Sequence, residues 1–421
     1  MADNGELSGY KCPNCAAPLV FNGELQKMVC EYCDSQFDMS EFSKDAVHRD
    51  ENLKWETSTN TAKIEGEGMK EYVCSSCGAG LITGEGTGAT ECPYCGNPVN
   101  IKETFEGMNV PDGLIPFALK KDAAKDALIK FYGDKKLLPD DFKDQNHLDN
   151  IMGLYVPFWL FSCTADGAGY FNATKERRIQ KPGNDQREIK EFRVMRKGRM
   201  DFVNVPADGS KEMDDAYMDS IEPYDYSKIT DYNPAYLSGY VANKYDEDQE
   251  AVKNRVTERL RTTVANELEK TVTGYDAVSK AGCDVDMLNP VIKNCLMPVW
   301  MLSTKYNDQV YSFAMNGQTG KVTGNLPIDP GKKTKAFVIP AIITFVIAVI
   351  ICLIAQAEFM GYVVALIIAA AVGWIKMSSE VSKMSAHKGT QASNYLVKNS
   401  FKLESKQDKL VNTRYEEIRE N

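Results

Sequence analysis

Two long runs without a charged residue limit what this chain can become. Ala336 to Ala355 (AFVIPAIITFVIAVIICLIA) holds 20 residues and no charge. At about 1.5 Å rise per residue a helix of that length spans roughly 30 Å, the hydrocarbon thickness of a bilayer. After Gln356-Ala357-Glu358, the run from Phe359 to Ile375 is nearly as long and equally uncharged. Together they predict a transmembrane helical hairpin over 336–376. Lys332, Lys333 and Lys335 precede it and Lys376 and Lys383 follow it, while the loop carries only Glu358. The positive-inside rule then puts both flanks and both termini in the cytoplasm, as expected of a two-pass cell-membrane protein. Ala365, Ala369 and Gly373 recur every four residues, a spacing that lets two helices approach closely. The competing reading, a buried hairpin in a soluble core, fits two runs of this length poorly.

The rest of the chain reads as soluble. Its 421 residues leave room for two or three domains, and the mean hydropathy is -0.36. The start, MADNGELSGYK, is polar and acidic with no apolar segment, so no signal peptide is expected and the N-terminal part stays in the cytosol. Of the 12 Cys, eight form four Cys-x-x-Cys pairs before residue 96. The others, Cys163, Cys283, Cys295 and Cys352, sit in apolar surroundings and predict core packing. In a reducing compartment the paired cysteines are metal ligands.

The pairs are matched. Cys12-Pro-Asn-Cys15 and Cys30-Glu-Tyr-Cys33 are separated by 14 residues, as are Cys74-Ser-Ser-Cys77 and Cys92-Pro-Tyr-Cys95, and the unit recurs after 62 positions. This spacing brings two knuckles from two hairpins into one tetrahedral thiolate site. Two zinc sites are expected, with iron the chemical alternative. Such small units fold on the free energy of metal binding, and a four-thiolate site has no open position for a catalytic water. Gly78 and Gly96 follow knuckles of the second unit and suit a left-handed turn, whereas Ala16 and Asp34 follow those of the first. Asp tolerates that conformation and Ala does so poorly, which predicts a weaker first site. Glu41 to Tyr72 between the units is polar apart from Leu53 and Trp55 and reads as a linker, with room for a short helix.

Zinc ribbons often bind nucleic acid, so charge matters. Residues 1–106 carry 8 Lys+Arg against 18 Asp+Glu, and the remainder balances at 41 of each. Each ionised four-thiolate zinc centre adds a further formal charge of about -2. Such a surface repels phosphate, which disfavours nucleic acid and points to a protein partner.

From Val110 the pattern changes. Leu119 to Tyr132 has apolar residues at Leu119, Ala123, Ala127, Leu128 and Phe131, the spacing of a helix ended by Gly133. Val156-Pro-Phe-Trp159-Leu-Phe-Ser162 reads as a strand, followed by a Gly-rich turn and a second strand near Tyr170 to Thr174. Met297-Pro-Val-Trp300-Met-Leu-Ser303 matches it position by position and leads into strands Thr304 to Tyr306 and Val310 to Met315. Gln249 to Val278 is a long helical stretch with Val252, Val256, Leu260, Val264 and Leu268 spaced by four. These features predict an α+β domain over 107–330, a duplication of a helix plus hairpin, with an antiparallel sheet and helices to one side. Trp159 and Trp300 are expected in its core. Lys175 to Arg199 has 10 Lys+Arg against 4 Asp+Glu, and Asp208 to Glu250 has 12 Asp+Glu against 3 Lys+Arg. Either these runs face each other or one is a partner surface.

Catalytic signals are missing. Asn316-Gly-Gln-Thr-Gly-Lys321 has two residues between its glycines where a P-loop needs four, and reads as a hairpin turn. His48, His147 and His387 are isolated. No enzymatic activity is expected. The tail from Lys376 holds 9 Lys+Arg and 6 Asp+Glu; Phe401 to Ile418 reads either as a hairpin about Ser405 to Asp408 or as disorder.

The expected architecture is therefore multi-domain: zinc ribbon 1 over 1–40, a linker over 41–72, zinc ribbon 2 over 73–106, the α+β domain over 107–330, the hairpin over 336–376 and a basic cytoplasmic tail over 377–421. The metal ligands are Cys12, Cys15, Cys30 and Cys33 in the first site and Cys74, Cys77, Cys92 and Cys95 in the second.

The Cys-Pro-x-Cys knuckles, VPFWLF from Val156, PAYLSGYVANKYD from Pro234, MPVW from Met297, FAMNGQTGKVTG from Phe313 and the hairpin occur together here. In this combination the chain resembles the membrane-anchored, transcription-factor-IIB-type zinc-ribbon proteins of Gram-positive bacteria. The resemblance implies a scaffold that recruits a phage-shock-protein-A-like or SPFH partner to the membrane in envelope stress. It is no evidence of a role in transcription. Two other readings stand beside it, a membrane-tethered nucleic-acid-binding regulator and a thiol redox or zinc sensor.

Overall fold

Pairing between strands far apart in sequence organises this chain. The computed structural model describes residues 110–142, 150–180, 185–211, 213–230, 232, 240–245, 247–356, 358–385 and 389–417. Before residue 110 it describes 12, 14–15, 20–22, 27–30, 32–38, 56–57, 63–64, 70–83, 92–95, 97, 99–101 and 108–109. Expectations for Ala16, Leu53, Trp55, Gly96, the three His and Ile418 lie outside these residues.

The elements run β1 (Val20–Asn22), β2 (Lys27–Val29), β3 (Gln36–Asp38), β4 (Glu56–Thr57), β5 (Lys63–Ile64), β6 (Lys70–Cys74), β7 (Gly80–Thr83), β8 (Val99–Ile101), β9 (Met108–Asn109) and β10 (Gly113–Leu114). Then come α1 (Lys121–Gly133), β11 (Met152–Ile179), β12 (Gln186–Asp208), α2 (Asp215–Ile221), β13 (Val241–Asn243) and α3 (Gln249–Glu269). The chain closes with β14 (Ala277–Tyr306), β15 (Gln309–Asn316), β16 (Val322–Gly324), α4 (Pro330–Ile354), α5 (Phe359–Ser382) and β17 (Lys402–Glu417). Strands β1 to β3 form their own small sheet, and 12 others share one large sheet.

That sheet is mixed, where the sequence suggested an antiparallel one. β10 runs parallel to β14, β13 parallel to β11, and β4 parallel to β14. The reason lies in the duplication. β11 and β14 pair antiparallel with Val156 opposite Met297, the first residues of the two matched motifs. A pseudo-twofold axis passes by that pair and exchanges the halves. Gly113 and Leu114 pair with Cys295 and Leu296, while Val241 and Ala242 pair with Leu154 and Tyr155. Each half thus lends its short leading strand and its helix to the hairpin of the other.

The two Trp side chains record the same exchange. Trp300 donates its indole N–H to the carbonyl of Leu119 just before α1 (3.1 Å), and Trp159 donates to that of Glu247 just before α3 (3.0 Å). Phe117 packs on Trp300 and Tyr245 on Trp159, at ring separations of 5.1 and 5.3 Å. Both Trp are buried in the core, as their motifs predicted.

Residues 152–179 form one continuous strand without the predicted Gly-rich turn. Gly167 and Gly169 serve packing. A Cβ on Gly167 would collide with Val264 of α3, and one on Gly169 would meet Phe171 at 2.9 Å and Leu268 at 3.2 Å. The glycines let the helix lie close to the sheet. On α3 the predicted stripe Val252, Val256, Leu260, Val264 and Leu268 is buried. On α1 Ala124, Leu128 and Tyr132 are buried; of the predicted stripe Leu128 is among them, Ala127 and Phe131 pack partly buried against the same core, and Ala123 is exposed. The turn Asn307-Asp308 between β14 and β15 has φ of 48° and 60°, the left-handed pair of a tight hairpin.

β17 corrects the reading of the tail. It neither folds on itself nor stays irregular, but pairs along its length with β12, for example Asp408 with Val194 and Lys402 with Arg199. Among the described residues no ion pair joins the basic run to the acidic one. Arg178 pairs with Asp185 just before β12, and Arg196 with Asp408 and Arg199 with Asp166 on the long sheet, whereas the acidic run meets arginines of α3.

α4 and α5 are long and apolar enough to cross a membrane. They pack on each other through Ala365, Ala369 and Gly373, which are buried while most of the large side chains are exposed. A Cβ on Gly373 would meet the Phe337 carbonyl at 2.7 Å, so close approach requires the glycine. α4 begins earlier than the apolar run. Asp329 caps it by accepting from Lys332 N–H (2.8 Å), with Pro330 in the first turn.

Candidate metal centres

The eight predicted ligands assemble into two clusters. In each, the four sulfurs lie within 4.8 Å of one another. Cys12 and Cys33 are 3.7 Å apart, Cys15 and Cys30 3.3 Å, Cys74 and Cys95 3.5 Å, and Cys77 and Cys92 3.6 Å. These separations exceed a disulfide bond, and all are free thiols. Tetrahedral thiolates about 2.3 Å from a zinc ion stand roughly 3.8 Å apart, so both donor sets fit that ion. All four positions would be filled by protein, leaving the metal a structural role.

Backbone turns build both knuckles alike. Asp34 N–H donates to the Cys30 carbonyl (2.8 Å) and Gly78 N–H to that of Cys74 (2.9 Å). Cys30 N–H reaches the Ser35 carbonyl (2.9 Å), and Cys74 N–H that of Ala79 (3.0 Å). Asp34 and Gly78 both take positive φ, 56° and 85°. Asp34 thus adopts the left-handed turn that its residue type was expected only to tolerate. Side chains support the same design: Asn14 donates to Ser35 Oγ (3.0 Å), and Asn97 to Ser76 Oγ (2.9 Å) and Cys95 Sγ (3.4 Å).

Without metal the thiols would share protons unequally. Burial pushes Cys33 up, but the Ser35 hydroxyl and amide and the neighbouring thiols outweigh it and bring Cys33 down to about 7. At Cys74 burial is likewise overcome, here by the amides of Cys77 and Ser76 and the thiols of Cys95 and Cys77, again giving about 7. Burial drives Cys12 and Cys92 well up and Cys77 up to about 11. Of the unpaired cysteines, Cys163 and Cys295 are buried in the core and pushed up to about 12 by that burial.

The clusters differ in their supports. The first stands on the sheet β1–β3. Its contact with the rest of the protein includes the Lys409 ammonium of β17, which donates to Ser35 Oγ (2.7 Å). The second is continuous with the large sheet, because β7 pairs with β13 from Val241–Thr83 to Asn243–Leu81. Ser303 of β14 donates to the carbonyl of Pro93 (2.7 Å) or Tyr94 (2.9 Å), within the Cys92–Cys95 knuckle. Tyr72 and Leu81 pack in one core with Val156, Phe158 and Met297.

A buried ionic cluster escaped the sequence reading. The Arg259 guanidinium, 3% exposed, donates to Glu222 (2.5 and 3.2 Å), Asp219 (3.4 Å) and the carbonyls of Pro206 (2.9 Å) and Gln391 (3.3 Å). Tyr395 donates to Glu222 (2.6 Å), Gly389 N–H to Asp219 (2.7 Å) and Ala392 N–H to Thr263 (2.7 Å). Arg255 of α3 binds Asp208 (2.6 Å) and Asp215. Burial pushes Asp208 up to about 6 against the pull of Arg255, and pushes Glu222 up against that of Arg259. The cluster ties the segment after α5 to α3 and the loop after β12. Charged residues in a helix that also carries an apolar stripe read as its solvent face, which is why Arg255 and Arg259 gave no signal.

No family model matches the chain, and no solved structure is detectably similar. Over 326 residues it is 31% identical to the uncharacterized protein YdjG of Bacillus subtilis (strain 168), covering 77% of this chain and 92% of that protein. With identity of that extent across nearly the whole of the relative, the chain belongs to the YdjG family.

Proposed function

We propose that this protein is a membrane-anchored zinc-ribbon scaffold, without enzymatic activity, that recruits a cytosolic protein partner to the membrane. The observation that carries the reading is the joint between anchor and domain. Leu326 N–H, before α4, donates to the carbonyl of Met384, after α5 (2.8 Å). Met384 is buried in the core that surrounds α1. The two legs of the hairpin therefore leave the folded domain side by side, which supports a two-pass anchor with both termini on the domain's side. The four-cysteine clusters, with every position held by protein, favour surfaces for recognition over a reaction. The acidic balance of residues 1–106 favours a protein over a nucleic acid as what they recognise.

The family resemblance of the sequence motifs names a partner class, a phage-shock-protein-A-like or SPFH protein acting in envelope stress. The test is affinity purification of the full chain from gently solubilised membranes, beside a chain whose first cluster carries Cys12→Ser and Cys15→Ser. The expected result is one membrane-stress protein captured by the native chain and lost or reduced with the variant. Capture of nucleic acid in its place, released as salt rises, would make the regulator reading the better one.

A further inference from the structure

The root of the hairpin is packed against a helix from far upstream. Asp329 N–H donates to the Leu137 carbonyl (2.9 Å), and the Lys332 ammonium reaches the Leu138 carbonyl (2.7 Å) and Asp140 (2.6 Å). The Lys135 ammonium donates to the carbonyl of Lys383 (2.5 Å). The end of α1 and the loop behind it are thus held beside the first turn of α4 and the last of α5.

Most acids at this junction are engaged, Asp134 beside Lys135 being the exception. Asp329 caps α4, Asp140 holds Lys332, Glu380 holds Lys383 (2.8 Å) and Asp141 accepts from Tyr306 (2.9 Å); Asp134 is exposed. Lys130, Lys136, Lys333, Lys335 and Lys376 are exposed too, and none of them is in an ion pair among the described residues. Lys136 and Lys376 come from different elements yet both act electrostatically on Glu380. Lys335 and Lys376 directly border the apolar runs at Ala336 and Ile375. If the hairpin spans a bilayer, that is the depth of the lipid phosphates.

We propose that these lysines form a collar that binds the headgroups of anionic phospholipids in the leaflet next to the folded domain, with α1 and its loop adding Lys130 and Lys136 to the flanking Lys333, Lys335 and Lys376. The inference rests on the membrane-spanning reading. Lysines at the ends of a hairpin serve to orient it during insertion. Bringing in Lys136 from a loop over 190 residues upstream, with Lys130 on the helix before it, serves no such purpose. It raises the density of positive charge where an anionic surface lies, which favours anionic over zwitterionic headgroups among the lipids that exchange around the hairpin.

The full chain, reconstituted in phosphatidylcholine vesicles with a trace of spin-labelled phosphatidylglycerol or spin-labelled phosphatidylcholine, tests this through the motionally restricted lipid signal. The expected preference for phosphatidylglycerol is about three- to fivefold at low salt, shrinking toward one at high salt. Combining Lys130→Gln with Lys136→Gln should reduce it to about half, as should Lys333→Gln with Lys335→Gln. Equal restriction of both lipids by the native chain would overturn the collar, and full preference in the Lys130/Lys136 variant would remove α1 from it. Loss of the preference on adding inorganic phosphate, but not chloride of equal ionic strength, would point to a discrete phosphate site and overturn the lipid assignment. Absence of any restricted signal with either lipid would instead overturn the membrane-spanning reading.

Discussion

The two four-cysteine clusters share their ligand types, their 14-residue spacers and their knuckle turns, yet they are held to the protein in different ways. The first rests on a three-stranded sheet of its own and meets the tail strand through Lys409 and Ser35. The second continues into the large sheet through β7 and β13 and is clasped by Ser303. Identical donor chemistry can therefore have different reach. Metal bound at the second cluster would organise strands that the main core depends on, whereas metal bound at the first would organise a module with its own small sheet.

Breaking the second cluster should have the largest effect. Structural zinc sites supply on the order of 10 kcal/mol of folding free energy in small modules. Tyr72 and Leu81 carry that order into the core around Val156 and Phe158. Cys74→Ser with Cys77→Ser should lower the main thermal transition by about 10 °C or more, taking about 2–4 °C per kcal/mol for a domain of this size. Cys12→Ser with Cys15→Ser should move it by no more than about 2 °C. Near-ultraviolet circular dichroism reports the transition through buried Trp159 and Trp300. Metal analysis should return two equivalents for the native chain and one for either variant. Equal shifts for both variants would abolish the distinction.

Graded chelation should empty the first cluster before the second, by about tenfold in rate, since the first has fewer strands around it to unfold before its ligands open. Ala16 suggested this order from the sequence alone. The structure supplies a different reason, the smaller sheet beneath the site. Following released zinc with a colorimetric indicator in the two double-Cys variants assigns each phase, and coincident phases would argue against any ranking.

The four-cysteine clusters were legible because ligand spacing is a local property: two residues between partners and matched spacers suffice. The apolar helices and the Trp motifs were legible for the same reason. Gly167 and Gly169 misled because glycine is read as freedom to turn, while here it makes room for Val264 and Leu268 of a helix that arrives about a hundred residues later. β17 was not legible because an edge strand is selected by its partner, β12, some two hundred residues upstream. Its own charged sequence carries little strand signal. The parallel pairs of β10 and β13 could not be foreseen either, since strands of two or three residues have no periodicity to detect. Arg259 and Glu222 were hidden by the rule that charge belongs outside, which holds until a charge is fully paired.

Ser303→Ala gives a finer measure of how far the second cluster is joined to the sheet. Its hydroxyl reaches the Pro93 and Tyr94 carbonyls and lies 3.0 Å from Ser312 Oγ. Deleting it should cost about 1 kcal/mol. The prediction is selective: zinc loss from the second cluster should quicken about fivefold while that from the first stays unchanged. If both rates were unaffected, β7 and β13 alone would account for the attachment.

The smallest expected effect is at the first cluster. Lys409 Nζ donates to Ser35 Oγ, which also accepts from Asn14 and lies 3.0 Å from Cys33 Sγ. With lone pairs occupied by Lys409 and Asn14, the Ser35 hydroxyl is free to donate its proton to the Cys33 sulfur. A thiolate there gains a hydrogen bond polarised by an ammonium group, and the negative charge of a four-thiolate centre gains a nearby cation. Lys409 is exposed, so solvent screens the charge and the contribution is about 0.5 kcal/mol or less. Lys409→Gln retains a donor and removes the charge, whereas Lys409→Ala removes both. If the hydrogen bond dominates, Gln should release zinc from the first cluster at nearly the native rate and Ala about twice as fast. If charge dominates, both variants should be alike and the difference from the native chain should vanish at high salt. Either pattern leaves the second cluster's rate untouched, and a change there would mean that the tail strand couples the two clusters through β12 and the long sheet.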